Sequence, residues 1–270
     1  MDKNTRNTRI AIISKTLTEN PNRIFTLSYF AELFNASKST ISEDILIVRE
    51  SLEKFGEGRV ETLAGANGGV IFFVSVPEKI RTDFRSELLG YLKDPSRIVP
   101  GNFIYVSDLM QNPRIIRLAG AILAEHFQET KPDYVITVET KGIPLAYEVA
   151  RYLGIQLIVV RRNTKITEGT AVSINYLTGN QGMLSVMSLS KRSLPPGSSL
   201  IFIDDFLRGG GTVRGIIDLV SEFDSELIGV GVMVDSKELD KEIGVPFVTF
   251  CEYHGINSEG EVLIRNSKSL

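Results

Sequence analysis

The sequence predicts a two-part α/β protein: a small helical domain closed by a β-hairpin, then a doubly wound sheet with helices on both faces. Three observations carry this prediction. Through about residue 55, apolar residues recur every three or four positions, which is helical spacing. From about residue 102 short unbroken apolar runs appear instead, at 134–138, 156–160, 200–203 and 227–234, as in strands covered on both faces. Amphipathic segments lie between those runs, and strand–helix alternation marks an open α/β sheet. The expected domains are residues 1–77 and 78–270.

In the first domain, Ile10, Ile13 and Leu17 share one helical face. Phe30, Leu33 and Phe34 mark a second helix starting after Thr26–Leu27. A three-residue break, Asn35–Ser37, leads into a long amphipathic helix with Ile41, Ile45, Val48, Leu52 and Phe55. Ser37 stands where an N-cap belongs. Two helices joined this tightly are the grammar of a helix-turn-helix. Two β-rich runs then flank Asn67–Gly68, a hairpin signal. Three helices and a hairpin are the parts of a winged helix. Residues 78–94 form a further helix through Ile80, Phe84, Leu88 and Leu89.

Composition narrows the function. The hydrophobic share of 43% is that of a well-packed globular chain. No apolar run reaches the ~18 residues of a membrane span. The N-terminus lacks the apolar core of a signal peptide, so a cytoplasmic protein is expected. One cysteine, Cys251, rules out an internal disulfide, and it reads as a small buried hydrophobe. With only His126 and His254 beside it, a structural zinc site is not expected. His126 suits the negative end of a helix, and His254 the surface. Tyr105 reads as structural. There is no internal repeat.

The net charge of −3 offers no bulk attraction to nucleic acid, so DNA binding requires uneven charge. The charge is uneven. Residues 3–41 hold six cations and two acids, whereas residues 42–61 hold three cations and six acids. The basic part includes the start of the long helix, whose first residues reach base edges in a helix-turn-helix. Lys38, Ser39, Thr40, Ser42, Arg49, Arg6 and Arg9 are the candidate DNA contacts. A solvated dimerisation domain is the alternative. The wing tip is glycine-rich and uncharged, and a single module buries too little surface for high specificity, so DNA binding implies a homodimer.

The most specific signal runs from Ile203 to Thr212: a buried strand, Asp204 and Asp205 at its carboxyl end, Phe206, Leu207 and Arg208, then Gly209, Gly210, Gly211 and Thr212 before a helix. Ligands bind beyond the carboxyl ends of strands in open α/β sheets. Successive glycines turn backbone N–H groups toward an anion, and the helix dipole favours the same charge. Two carboxylates beside a phosphate site accept hydrogen bonds from sugar hydroxyls. The layout therefore describes a ribose 5-phosphate pocket. No Gly-Lys-Ser/Thr of a P-loop occurs, and the acids precede the glycines instead of following by about 20 residues as in a dinucleotide fingerprint.

This strand, acid pair and Gly-Gly-Thr loop resemble the phosphoribosyl pyrophosphate (PRPP) motif of type I phosphoribosyltransferases. The resemblance implies that Asp204 and Asp205 hold the ribose hydroxyls and residues 208–212 the 5-phosphate. It also implies that Thr140, Lys141 and Gly142, in a strand-to-helix loop at 137–144, meet the pyrophosphate. A lid at about 162–190 is implied too, with Arg161, Arg162 and Lys165 near the pyrophosphate. The long polar stretch 163–182 agrees with a lid or loop.

Joined to a winged-helix start, the whole resembles the purine operon repressors of Gram-positive bacteria. The segments 140–147, 159–176, 187–193 and 203–212 are most similar to that family. The resemblance implies a type I phosphoribosyltransferase-like fold used as an effector sensor, with no catalytic residues and no covalent cofactor. It implies PRPP, accompanied by Mg²⁺, acting on double-stranded promoter DNA. A catalytically active purine phosphoribosyltransferase with a fused DNA-binding domain is the alternative, and a sensor of purine nucleotides or guanosine polyphosphates is a further one.

Overall fold

The computed structural model describes residues 5–65, 68–162, 169–178, 183–236 and 243–270. It divides into two compact units. One holds Met1–Arg81 with Arg151–Gly154, the other Thr82–Ala150 with Ile155–Leu270.

The first unit contains α1 (Arg6–Glu19), α2 (Leu27–Phe34) and α3 (Lys38–Phe55). Their N-caps are Thr5, Thr26 and Ser37, each hydroxyl accepting the N–H three residues on. Asn35 ends α2 and Gly56 ends α3 in the left-handed conformation. β1 (Gly58–Leu63) pairs antiparallel with β2 (Gly69–Val74). Of the expected turn, Asn67 lies outside the described residues.

The core joins Ile13 and Leu17 of α1, Phe30 and Phe34 of α2, Ile41, Ile45 and Val48 of α3, and Val60 and Val70 of the hairpin. Two expected core positions are exposed, Leu33 at 50% and Phe55 at 69%. α2 is little more than two turns long, and Phe30 and Phe34, ring-stacked at 6.4 Å, already fill the side it can bury. Phe55 ends α3, where the helix has run past the core. One buried residue on α3 is charged: Asp44, which accepts from Arg9 Nε at 2.6 Å and Arg6 Nε at 3.3 Å on α1.

The second unit begins in α4 (Glu78–Leu92), of which Phe84, Leu88 and Leu92 are buried and Ile80 is exposed. Short strands β3 (Ile98–Val99) and β4 (Phe103–Ile104) and a single turn, α5 (Ser107–Met110), follow. Apart from the apolar strand start just before Tyr105, where β4 lies, the sequence does not predict these, being too short for periodicity to register. Next come α6 (Pro113–Phe127), β5 (Tyr134–Val138), α7 (Ile143–Leu153) and β6 (Gln156–Val160). β7 (Ala171–Thr178) and β8 (Met183–Ser190) pair antiparallel as a separate hairpin. The chain closes with β9 (Ser199–Leu207), α8 (Gly211–Ser221), β10 (Glu226–Ser236), β11 (Phe247–Ile256) and β12 (Val262–Asn266).

The main sheet has the order β12-β11-β10-β9-β5-β6, parallel except for the antiparallel edge strand β12. All four apolar runs form adjacent strands here, which explains why they show no polar alternation. Leaving β5, the chain goes outward through α7 to β6. It later returns to β9 on the other side of β5, so the order reverses between β5 and β9. That is where open α/β sheets bind ligands.

Part of the stretch expected to be a lid or loop is regular: residues 171–178 are strand β7. Tyr176, Met187 and Leu189 of the β7–β8 hairpin join the hydrophobic cluster that includes Val213 and Ile216 of α8. Gly215 permits this approach, since a Cβ there would lie 3.0 Å from Tyr176 Cβ. Residues 163–168 and 179–182 are outside the described residues. Cys251 is fully buried in β11, and burial pushes its thiol pKa up to about 12. His254 is not a surface residue; it is half-buried, with Nε2 3.6 Å from Glu252 Oε2.

Candidate functional site

The acid pair lies within β9, because the strand continues to Leu207, beyond the apolar run that marks it in the sequence. On one side β10 stays paired through Val232↔Asp204, Val234↔Phe206 and Asp235↔Leu207. On the other, β5 leaves β9 after Ile136↔Phe202. The two strands part there, and Asp204 and Asp205 follow at the opening. Asp204 Oδ1 accepts the Asp205 N–H at 2.9 Å. Burial, reinforced by the neighbouring Asp205 carboxylate, holds the Asp204 carboxyl well above the usual carboxylate range.

Past the strand, Gly209 and Gly210 both adopt positive φ, 70° and 72°. A side chain would be strained at either position. Gly210 is the N-cap of α8, and it brings no side chain to the first-turn N–H groups of the helix. Those donors, with Thr212 beside them, are available to an anion. Leu207 is buried in the core, so only its backbone can face a ligand. Phe206 packs edge-on against Tyr253 at 6.1 Å. The guanidinium of Arg208 lies 4.8 Å from the ring centre of Phe103, a residue without a sequence signal.

The second loop, between β5 and α7, closes on the first. A Cβ on Gly142 would lie 2.9 Å from both Asp204 Cα and Thr137 Oγ1, and closer still to Asp204 Oδ1. Only glycine fits. Thr137 is fully buried, and its hydroxyl has no hydrogen-bond partner among the described residues. Thr140 and Lys141 are exposed in the loop before α7.

Arg161 and Arg162 reach this loop, but an acid holds them there. Glu139 Oε2 accepts from Arg161 Nη1 at 3.1 Å, and Oε1 accepts the Arg162 N–H at 2.7 Å. The Arg162 Nε also donates to the Glu139 carbonyl at 3.2 Å. Sequence reasoning assigns Glu139 no role, although it stands in the quoted segment between Thr137 and Lys141. Lys165 lies outside the described residues. The segment before α6 is tied down by Arg97, which donates to both Asp108 carboxylate oxygens at 2.7 Å and to the Tyr105 carbonyl at 3.0 Å. The contact to Tyr105 is made by its backbone, and its side chain is half exposed.

In the helical unit, Lys38, Ser39 and Ser42 are exposed. Ser37 Oγ lies 2.8 Å from Ser39 Oγ and 2.9 Å from Thr40 Oγ1, so three hydroxyls cluster at the start of α3. The arginines divide. Arg9, with its side chain 13% exposed, is committed to Asp44 and packs α1 onto α3, whereas Arg6 keeps 54% of its side chain exposed beside the same carboxylate. Arg49 Nη2 donates to Thr62 Oγ1 at 2.6 Å and ties α3 to β1.

Residues 5–74 match the N-terminal domain of the bacterial purine repressor, and residues 106–260 match the phosphoribosyl transferase domain. Over 88% of this chain and 86% of the relative, the sequence is 45% identical to the probable purine biosynthesis transcriptional regulator PurR of Streptococcus pneumoniae. The chain belongs to the bacterial purine-regulator family. Its similarity to the purine biosynthesis transcriptional repressor PurR of Bacillus subtilis, at 36% identity, spans 98% of this chain and 93% of that one. Among solved structures, adenine phosphoribosyltransferase from Saccharomyces cerevisiae superposes with a TM-score of 0.55 at 22% identity. That superposition covers 62% of this family member and 98% of the enzyme, and it shows the phosphoribosyltransferase fold of the second unit.

Proposed function

We propose that this protein regulates transcription of purine-biosynthesis genes, binding promoter DNA as a homodimer through the winged helix and sensing PRPP in the second unit. One observation carries the sensing half: the α8 N-terminus, uncapped by any side chain and approached through two positive-φ glycines, sits directly after a carboxylate pair at the point where β5 and β9 separate. In this reading the backbone N–H groups of 208–212 and the Thr212 hydroxyl hold the 5-phosphate. Asp204 and Asp205 accept from the ribose diol. The Gly142 loop with Thr140 and Lys141 meets the pyrophosphate and its Mg²⁺. Arg161 and Arg162 line that side. On DNA, Lys38 and Arg6 meet phosphates, and Ser39, Thr40 and Ser42 reach the groove, with Arg49 behind them.

PRPP alters DNA binding only if it binds the DNA-competent and DNA-incompetent states with different affinities. The protein acts as a sensor and not as a transferase. Incubation with Mg²⁺, PRPP and hypoxanthine, xanthine, guanine or adenine is expected to yield no nucleotide. Calorimetric titration of Mg²⁺–PRPP into the full chain tests the site, with Asp204→Asn/Asp205→Asn expected to abolish the heat seen for wild type. Equal heats would refute the site. A gel shift on a purine-operon promoter fragment, with and without PRPP, tests the coupling.

A further inference from the structure

The buried stripe of α3 fixes its outward face. Ile41, Asp44, Ile45 and Val48 point inward, each less than 5% exposed. At 100° per residue, the opposite face carries Ser39, Ser42, Glu43, Leu46 and Glu50. All five are exposed. From Ser39 to Leu46 the helix rises about 10 Å, which matches a major groove about 12 Å wide.

That face is unusual for a surface that meets phosphates. It carries two acids, Glu43 and Glu50, and a leucine, with Glu43 and Leu46 midway along it. The neighbouring acid, Asp44, is turned inward and met by Arg6 and Arg9. Glu43 has no such partner: among the described residues it makes no hydrogen bond or ion pair. Leu46 leaves 48% of its surface in solvent, although α3 offers a buried side. A solvated carboxylate beside a polyanion weakens binding unless it finds a donor.

The major groove offers two exocyclic amines, on cytosine and on adenine. Adenine sets its amine beside the N7 acceptor, which repels a carboxylate. Cytosine's amine has an acceptor on one side only, the paired guanine O6, and leaves its other side open to a carboxylate. The groove's one projecting apolar group is the thymine methyl. We propose that Glu43 and Leu46 determine which sequence α3 reads, Glu43 by accepting from the cytosine amine and Leu46 by packing on a nearby thymine methyl. This rests on the winged-helix reading above and adds the residues that discriminate bases.

Selection of the full chain on a randomised DNA library, with wild type, Glu43→Ala, Glu43→Gln and Leu46→Ala, tests it. Glu43→Ala is expected to flatten a cytosine preference at one position by roughly tenfold. Glu43→Gln should move that position toward adenine, where an amide can bond both N6 and N7. Leu46→Ala should flatten a thymine preference nearby. The salt dependence of Glu43→Ala should match wild type, because no phosphate contact is lost. Unchanged preferences in both Glu43 variants, or uniformly tighter binding to every sequence, would overturn the proposal. Lys38→Ala separates this from failure of the winged-helix reading: a salt slope lower by about one keeps α3 on DNA whatever the Glu43 variants do. All three positions are exposed, so unchanged thermal unfolding confirms that each variant is folded.

Discussion

Substituting Gly142 by alanine tests the contact that brings the two ligand loops together. The new Cβ would stand 2.9 Å from Asp204 Cα and 2.9 Å from Thr137 Oγ1. Carbon contacts are relaxed at about 3.5–4.0 Å, so the overlap is about 0.6 Å or more. Asp204 Cα is backbone in a strand paired with β10, so it cannot swing aside as a flexible side-chain end would. Forced overlaps of this kind cost typically about 1–3 kcal/mol. For a domain of about 150–250 residues each kcal/mol lowers the melting temperature by about 2–4 °C, giving an expected drop of about 2–12 °C.

Gly90 in α4 is the control. A Cβ there meets nothing within 4 Å, and alanine should stabilise the helix by about 0.5–1 kcal/mol. Thermal unfolding of wild type and both variants gives the comparison. Displacing Asp204 should also weaken PRPP binding by about tenfold, the equivalent of one lost hydrogen bond of about 1.4 kcal/mol. A Gly142→Ala protein that melts with wild type would refute the close approach of the two loops.

Arg9→Ala is expected to destabilise the helical unit by up to roughly 3 kcal/mol, since Asp44 is fully buried and would keep only the longer contact to the more exposed Arg6. Urea unfolding followed through that unit measures it, and an unchanged midpoint would return Arg9 to the list of DNA contacts. Cys251 should be inert to thiol reagents in the native protein at pH 7–9, because its pKa near 12 leaves little thiolate and the side chain is fully buried. One thiol should titrate on unfolding in denaturant, and rapid native labelling would show that β11 opens.

The legible parts of the sequence were those with local causes. Ser37 before Lys38 placed the start of α3 to the residue, and the three-to-four spacing marked its buried stripe as far as Val48, because a cap and a buried stripe act within one helix. The unbroken run at Tyr134 to Val138 announced a strand covered on both faces. The glycine loop was legible for the same reason, as positive φ at Gly209 and Gly210 is a demand made by the backbone on its own residues. Residues 171–178 show the opposite case. They lie inside the polar stretch 163–182, which as a whole reads as loop, and they became a strand because β8 and the α8 surface were available to pair and pack with them.

What the sequence alone determined, then, is the order of parts and the chemistry each can offer: a polarised helical unit, an alternating α/β unit, and a carboxylate–glycine turn. Only the tertiary structure decided how those offers are used. It set Gly142 against Asp204, gave Arg161 and Arg162 to Glu139, withdrew Arg9 into a contact with Asp44, and laid Arg208 over Phe103. The physical reason is range. Propensity and periodicity act over a few neighbouring residues, whereas the partner of a charged side chain is fixed by whichever distant segment the packed core brings within about 3 Å of it.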